Sequence, residues 1–315
     1  MKIIFFGTTI FSVESLNNLI ENKYEVLSVV CPVDKVSNRG LKTKFCEVKQ
    51  YAIKKNINII QYNDLNSKEL IKILKKINAD LYVVVAFKKI PKEIWSIPKY
   101  GTFNIHASIL PDYRGAAPIN WSIINGENKT GVTSFFINDK IDSGDIIMSK
   151  SCEINIYDNF QTLHDKLMKI GAKLTIETCK KLKKGNLKLI RQNLNKNFKL
   201  APKLNKKKCQ LNFKKQIEEI HNFIRGLSPY PCAWFRIKIK NKIKIMKVFN
   251  SSYRIKINEQ KNLKPYIEIN KHEFKIILRD GIIFLNEVQI ENKNRMNIKN
   301  FINGINSKVE IIDYY

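Results

Sequence analysis

Residues 80–87, Asp-Leu-Tyr-Val-Val-Val-Ala-Phe, are apolar at almost every position and constrain the fold more than any other stretch. A strand with one solvated face alternates apolar and polar residues. A run without that alternation reads as a strand covered on both sides. The flanking segments agree. Residues 2–6 read as a buried first strand, 11–22 as a helix with apolar residues at helical spacing, and 25–31 as a second strand. After a polar loop at 34–44, a helix is expected at 46–55, a strand at 57–60 and a helix at 67–77. Residues 102–108 supply the next strand, 131–138 and 145–154 a strand pair, and 159–184 a long amphipathic helix. Strands alternating with helices predict an α/β fold: a Rossmann-like, mostly parallel sheet with helices on both faces.

The pattern changes after residue 185. Residues 185–204 are polar, rich in Asn and Lys, and read as a connector, followed by a helix at 214–227. Short alternating segments at 233–240, 242–249, 266–269, 274–278 and 282–290 then predict a smaller C-terminal β-barrel. The expected division is a domain over 1–188, a linker over 189–206 and a second domain over 207–315, which 315 residues can accommodate.

Composition narrows the function classes. No run approaches the length of a membrane-spanning helix, and the apolar start stops at Gly7-Thr8-Thr9, too short for a signal peptide. The six cysteines are scattered singly with no C-x-x-C pair, which points to a reduced cytoplasmic protein without a zinc site or other metal. A net charge of +28 calls for a polyanionic partner, nucleic acid first, although a general drift toward lysine competes with that reading. Residues 201–315 hold 24 Lys and Arg against 10 Asp and Glu, whereas 1–200 hold 32 against 18. The same excess, +14, is therefore packed into the shorter C-terminal part.

The chemistry concentrates in Gly101-Thr-Phe-Asn-Ile-His-Ala-Ser-Ile-Leu-Pro-Asp-Tyr-Arg-Gly-Ala-Ala-Pro118. Alternation puts Asn104, His106 and Ser108 on one strand face, just before a Pro- and Gly-bearing turn. The carboxyl ends of such strands are where open α/β sheets place their sites. Of the four histidines, at 106, 164, 221 and 272, only His106 has this company. An acidic loop, Ile141-Asp142-Ser143-Gly144-Asp145, offers a carboxylate for an imidazole. Amide, imidazole and carboxylate together suit acyl transfer to an amine: N–H groups stabilise the oxyanion, and a base takes the amine proton. G-x-S-x-G is missing, so direct transfer is the simpler route. The first βα turn, Phe6-Gly7-Thr8-Thr9, carries neither the dinucleotide fingerprint nor a P-loop.

Asn104-Ile-His106, Ser108-Ile-Leu-Pro111, Tyr113-Arg-Gly-Ala-Ala-Pro118 and Asp142-Ser-Gly-Asp145 together resemble the 10-formyltetrahydrofolate-dependent formyltransferase family. The resemblance runs nearly the whole chain. Phe6-Gly7-Thr8 matches the opening turn, and Arg39-Gly-Leu-Lys42 matches the basic loop of the branch that acts on tRNA. Ile224-Arg-Gly-Leu-Ser-Pro-Tyr-Pro231 with Ala233-Trp234 matches the start of that branch's C-terminal domain. The resemblance implies a formyl-folate-binding domain and an OB-like barrel that helps grip tRNA. It implies transfer of the formyl group of 10-formyltetrahydrofolate to the methionine amine of charged initiator tRNA, as a monomer by default and away from membranes.

Carried over by residue, Asn104 would hold the formyl oxygen, His106 would assist proton movement and Asp142 would orient and polarise His106. Ser108, Ile109, Leu110, Pro111, Phe87 and Asp145 would line the folate side. Arg39, Lys42, Arg114, Arg225, Lys238 and Lys240 would contact tRNA. Three places depart from the family: Phe87-Lys88-Lys89, where Tyr-Gly is usual; Asn138-Asp139-Lys140; and Thr9-Ile10. The alternatives are the same chemistry on a small amine (glycinamide ribonucleotide or an amino sugar nucleotide) and a non-catalytic RNA-binding protein. The last would be marked by loss of Asn104, His106 or Asp142, and all three are present.

Overall fold

The structure is a computed structural model and describes residues 1–36, 43–185, 187–193, 197–256, 264–305 and 308–312. In chain order the elements begin with β1 (Lys2–Gly7), α1 (Ile10–Glu21) and β2 (Glu25–Pro32). A two-residue pair, β3 (Lys35–Val36) and β4 (Thr43–Lys44), precedes α2 (Glu47–Lys54) and β5 (Ile59–Tyr62). Next come α3 (Lys68–Ile77), β6 (Leu81–Val85), α4 (Lys92–Trp95) and β7 (Thr102–His106). β8 (Arg114–Gly115), α5 (Pro118–Ile124), β9 (Lys129–Phe136), β10 (Ile146–Glu153) and α6 (Phe160–Lys184) follow. After β11 (Leu200–Ala201), α7 (Ile217–Leu227) leads into β12 (Ala233–Ile239) and β13 (Lys242–Ile255). The last elements are β14 (Tyr266–Ile269), β15 (Phe274–Leu278), β16 (Gly281–Ile290), β17 (Met296–Asn297), α8 (Ile298–Asn303) and β18 (Val309–Ile311).

The chain divides into two compact units. The first comprises Met1–Gly115, Lys129–Glu153 and His164–Leu200; the second comprises Ala116–Asn128, Ile154–Leu163 and Ala201–Tyr315. The second unit therefore draws two segments from earlier in the chain, where the sequence suggests one uninterrupted α/β domain.

The sheet of the first unit has the order β10-β9-β7-β6-β1-β2-β5. β5, β2, β1, β6 and β7 are parallel, while β9 and β10 join antiparallel. All five residues of β6 are buried, as their unbroken apolar run predicts. Ile4, Phe6, Tyr82 and Val84 face one cluster with Leu70 and Leu74 of α3. By alternation Ile3, Phe5, Val83 and Val85, all with 0% exposure, face the other side. Chain order reverses between β1 and β6, so the carboxyl ends of these strands form the switch point of the sheet. There Gly7 is required by close approach: a Cβ would stand 2.6 Å from the Ser12 Cβ of α1. Ser12 donates to the Val85 carbonyl at 2.7 Å, tying the helix start to β6.

The second unit holds the antiparallel order β14-β15-β16-β13-β12-β18, and its edge strands β14 and β18 come into contact, giving a nearly closed barrel. α7 packs Ile217, Ile220, Ile224 and Leu227 into the same core as Phe235, Met246, Val248 and Ile283. Among the described residues no helix is long and apolar enough to cross a membrane.

Element positions shift where side chains set the boundary. The helix expected over 214–227 starts at Ile217, because Gln216 and Glu219 form a capping box. The strand expected over 57–60 lies at Ile59–Tyr62, in parallel register with Val29–Pro32. β13 continues past residue 249 to Ile255 through two register shifts against β16, which single-strand periodicity does not announce. α8 and β18 are additions to the expected elements, short pieces in a polar, Asn-rich tail.

In the second unit, His221 on α7 hydrogen-bonds Ser251 Oγ through Nδ1 at 3.0 Å and packs against the Tyr253 ring at 5.1 Å. Burial, with the nearby Arg225 charge, pushes its pKa down to about 4. An unfolded histidine takes up its proton near about 6.5, so folding disfavours protonation here. The stabilisation is intact above that value and falls as pH drops toward about 4. Between pH about 7 and about 4.5 the protein should lose about 2 kcal/mol more than His221→Gln, measured by urea unfolding. Equal losses would remove His221 as the cause.

Candidate active site

β7 delivers Asn104 and His106 to its carboxyl end between β6 and β9. Val84 and Val85 lie opposite Asn104 and Ile105, and His106 lies opposite Thr133. Residues 108–115 then fold back over the strand end. Thr133 pins them, donating from Oγ1 to the Ser108 carbonyl at 2.7 Å and accepting from Leu110 N at 3.1 Å. Ser108 Oγ donates to the Asp112 carbonyl at 2.7 Å, closing the turn. Tyr113 adopts φ +60°, its N–H donates to Lys199 O at 2.6 Å, and its carbonyl lies 2.8 Å from His106 Nε2.

That last contact settles the imidazole. A carbonyl only accepts, so Nε2 carries a proton and Nδ1 is the nitrogen left for exchange. Nδ1 stands 3.7 Å from Asp142 Oδ2, with the two side chains 7% and 13% exposed. The spacing is too long for a hydrogen bond and short enough for an ion pair when the ring is protonated. The same Asp142 oxygen accepts from the Gly115 N–H at 3.0 Å. Asn104 Oδ1 is buried, and no described residue donates to it.

The Asp142 loop is built to hold that position. Asn138 Oδ1 accepts from Lys140 N at 3.0 Å and from Ser143 Oγ at 2.9 Å, and Asp142 itself sits at φ +50°. Gln192 Nε2 donates to the carbonyls of Asp142 and Gly144 at 3.1 and 2.7 Å. Its Oε1 accepts from Arg114 Nε at 3.2 Å and from Arg114 Nη2. The Arg114 guanidinium stacks over the Phe198 ring at 4.7 Å. Burial pushes the Arg114 pKa down, with the Asp142 carboxylate acting against it.

Asn104, His106 and Asp142 are thus brought to one end of the sheet. Leu110 packs with Phe135 and Ile146, Ile109 lies against Gly131, and Pro111 closes a cis bond. Asp145 accepts from Phe136 N through its carbonyl at 3.0 Å. Phe87 packs on Phe6 and Tyr62 at ring distances of 5.5 and 5.7 Å, a core role. After it, Lys88, Lys89, Ile90, Lys92 and Trp95, with Asp64 and Asp139, line a cleft of about 390 Å³.

Two expected tRNA contacts are spent inside the protein. Arg114 is 8% exposed and bound to Gln192. Arg225, in the second unit, donates from Nε to Asn222 at 2.8 Å and from Nη1 to the Asp158 carbonyl at 2.8 Å. Lys240 is exposed at the β12–β13 turn, and Lys238 is half-buried opposite Glu310. Arg39 and Lys42 lie outside the described residues. Tyr113 O, Gly115 N and Gln192 escape reasoning from sequence. Two are backbone groups without a side-chain signature, and Gln192 is one polar residue in a stretch that reads as connector.

A formyl transferase family model matches residues 1–179, and a formyl transferase C-terminal domain model matches residues 203–306. The chain belongs to the formyl transferase family. It is 43% identical to the methionyl-tRNA formyltransferase of Flavobacterium johnsoniae, covering 97% of this chain and 96% of that one. It is 41% identical to that of Clostridioides difficile, covering 96% and 97%. Among solved structures, the sugar 3N-formyltransferase WlaRD, determined with dTDP and 5-N-formyl-THF, matches with a TM-score of 0.67 at 25% identity over 93% and 99% of the chains. As a formyl transferase, the chain is an enzyme that moves a one-carbon acyl group.

The loop carrying Asp142 leaves no room for a side chain at Gly144, whose Cβ would stand 1.7 Å from the Phe136 carbonyl oxygen. Gly144→Ala should destabilise the protein by about 1–3 kcal/mol, as overpacking does, and lower formyl transfer with it. An unchanged urea midpoint would show that the loop yields.

Proposed function

We propose that this formyl transferase carries the formyl group of 10-formyltetrahydrofolate to the free amino group of methionine on initiator tRNA, giving formylmethionyl-tRNA for translation initiation. The proposal rests first on the His106 ring, with its Nε2 proton tied to the Tyr113 carbonyl and Nδ1 facing Asp142 at 3.7 Å.

The reaction needs one bond made and one broken. As the amine attacks the formyl carbon, charge builds on the formyl oxygen and on the amine nitrogen. Asn104, on the same strand face as His106, donates its side-chain N–H to the oxygen and stabilises it. No described residue donates to its buried Oδ1, and the amine N–H would supply a donor there. His106 Nδ1 takes the proton that the amine must lose and returns one to the folate nitrogen as the carbon–nitrogen bond to the donor breaks. The Asp142 carboxylate faces the nitrogen where positive charge appears. No covalent enzyme intermediate is required.

We assign the donor's pterin to the cleft after β6, a reading supported by its volume of about 390 Å³, within the range of small-molecule sites. The sugar formyltransferase determined in the presence of 5-N-formyl-THF supports a folate donor. The acceptor reading is supported by relatives of near-equal length named for methionyl-tRNA. On the protein side it is supported by the net charge of +14 over residues 201–315, where Lys238 and Lys240 are proposed phosphate contacts, and by Arg39 and Lys42 of the basic loop, proposed as two more. Arg114 and Arg225 are better assigned to holding the fold.

The test is incubation with 10-formyltetrahydrofolate and methionyl initiator tRNA, followed by release and detection of formylmethionine. His106→Ala should lower the turnover by about 10²–10⁴-fold while leaving tRNA affinity unchanged. Full turnover in that variant would remove His106 from the chemistry.

A further inference from the structure

We propose that Gln192 is a positioning residue for formyl transfer, acting only through Asp142: its amide holds the loop that aims the Asp142 carboxylate at His106. The inference rests on the proposed role of that pair. Gln192 lies in the polar segment after α6, beyond the 1–188 span that the sequence suggests for the catalytic part. The two family models, over residues 1–179 and 203–306, both leave it out.

The backbone delivers Gln192 to the loop. Ile190 exchanges two hydrogen bonds with Ile146, the first residue of β10, each at 2.9 Å. Two residues on, Gln192 is 6% exposed. Its Nε2 donates to the Asp142 carbonyl at 3.1 Å and to the Gly144 carbonyl at 2.7 Å, so both protons are used and the pair straddles Ser143. Its Oε1 accepts from Arg114 Nε at 3.2 Å and from Arg114 Nη2, which fills both lone pairs. The amide has one sensible orientation. Turned over, its NH₂ would face a guanidinium that only donates, and its oxygen would face two carbonyls that only accept. Every polar position of the side chain is spent inside the protein, which leaves none for a substrate.

What those bonds hold is a strained residue. Asp142 sits at φ +50°, a conformation that a non-glycine residue keeps only where its surroundings impose it. The backbone so fixed points the carboxylate: Oδ2 accepts from the Gly115 N–H at 3.0 Å and stands 3.7 Å from His106 Nδ1. Gln192 also occupies the neighbouring cation. Arg114 precedes Gly115 in the chain, yet its Nε and Nη2 go to Gln192 and its guanidinium lies over the Phe198 ring at 4.7 Å. Asp142 is thereby left to face the imidazole. A catalytic group displaced by about 1 Å can lose about 10²-fold in rate, so a loop released from Gln192 should slow the chemistry without touching either substrate.

The experiment compares the full chain with Gln192→Glu and Gln192→Leu. Glutamate keeps the length and an acceptor for Arg114 but has no N–H for the loop, so it tests the proposal even if the leucine variant, with its guanidinium unpaired, does not fold. Formyl transfer to methionyl-tRNA should fall by about 10²-fold in kcat, with KM for donor and acceptor unchanged. In an Asp142→Ala background the same substitution should cost nothing further. A second readout needs no substrate: amide hydrogen exchange at Gly115 should quicken in Gln192→Glu, because its acceptor, Asp142 Oδ2, is released. Full turnover in Gln192→Glu, unchanged Gly115 exchange, or an equal loss with and without Asp142 would overturn the proposal. If the unmutated chain does not formylate methionyl-tRNA, the acceptor reading fails instead, and Gly115 exchange still decides the role of Gln192.

Discussion

The Asp142 carboxylate is the constraint on which the site depends. It is held by one backbone N–H, that of Gly115 at 3.0 Å, and stands 3.7 Å from the His106 ring. Each neighbour serves that placement. Asn138 and Ser143 shape the loop, Gln192 grips its carbonyls, and Arg114 is locked to Gln192 and to the Phe198 ring. Thr133, directly across from His106 on β9, pins the segment that presents both the Tyr113 carbonyl and the Gly115 N–H. Imidazole and carboxylate are therefore oriented by separate backbone groups, and neither orientation relies on the other.

This division of labour changes the role expected of Asp142. The resemblance implied that it would orient His106, but the tautomer is set by the Tyr113 carbonyl on Nε2. What the geometry leaves to Asp142 is the polarising part of that expectation: its carboxylate faces Nδ1, the nitrogen on which the proposed proton transfer would place charge. The depth of the site follows from the sheet. β7 lies beside the fully buried β6, so His106 ends a rigid strand, and both its ring and its carboxylate neighbour are largely dry.

The main outline was legible in the sequence because it is written in side chains. The apolar run at 80–87, the alternation through Asn104 and His106, and the Asp142 loop each carry a local pattern. What escaped belongs to other levels. Tyr113 and Gly115 act through the backbone, and Gln192 acts across 50 residues from Asp142 without any periodic signal. The resemblance made Arg225 a tRNA contact, yet its Nη1 donates to the Asp158 and Asn155 carbonyls. Residues 116–128 and 154–163 look contiguous with the α/β part by sequence but cluster with the second unit. There the Asn120 side chain caps the Gly226 carbonyl at 2.8 Å.

If His106 and Asp142 act as one unit on the transferred proton, the costs of losing them must not multiply. A double-mutant cycle on single-turnover formyl transfer, using His106→Ala, Asp142→Ala and the pair together, is the sharpest check. Strong non-additivity is expected, with the double variant about as slow as His106→Ala alone. Rate losses that multiply, each residue costing its full factor in the absence of the other, would contradict a shared role.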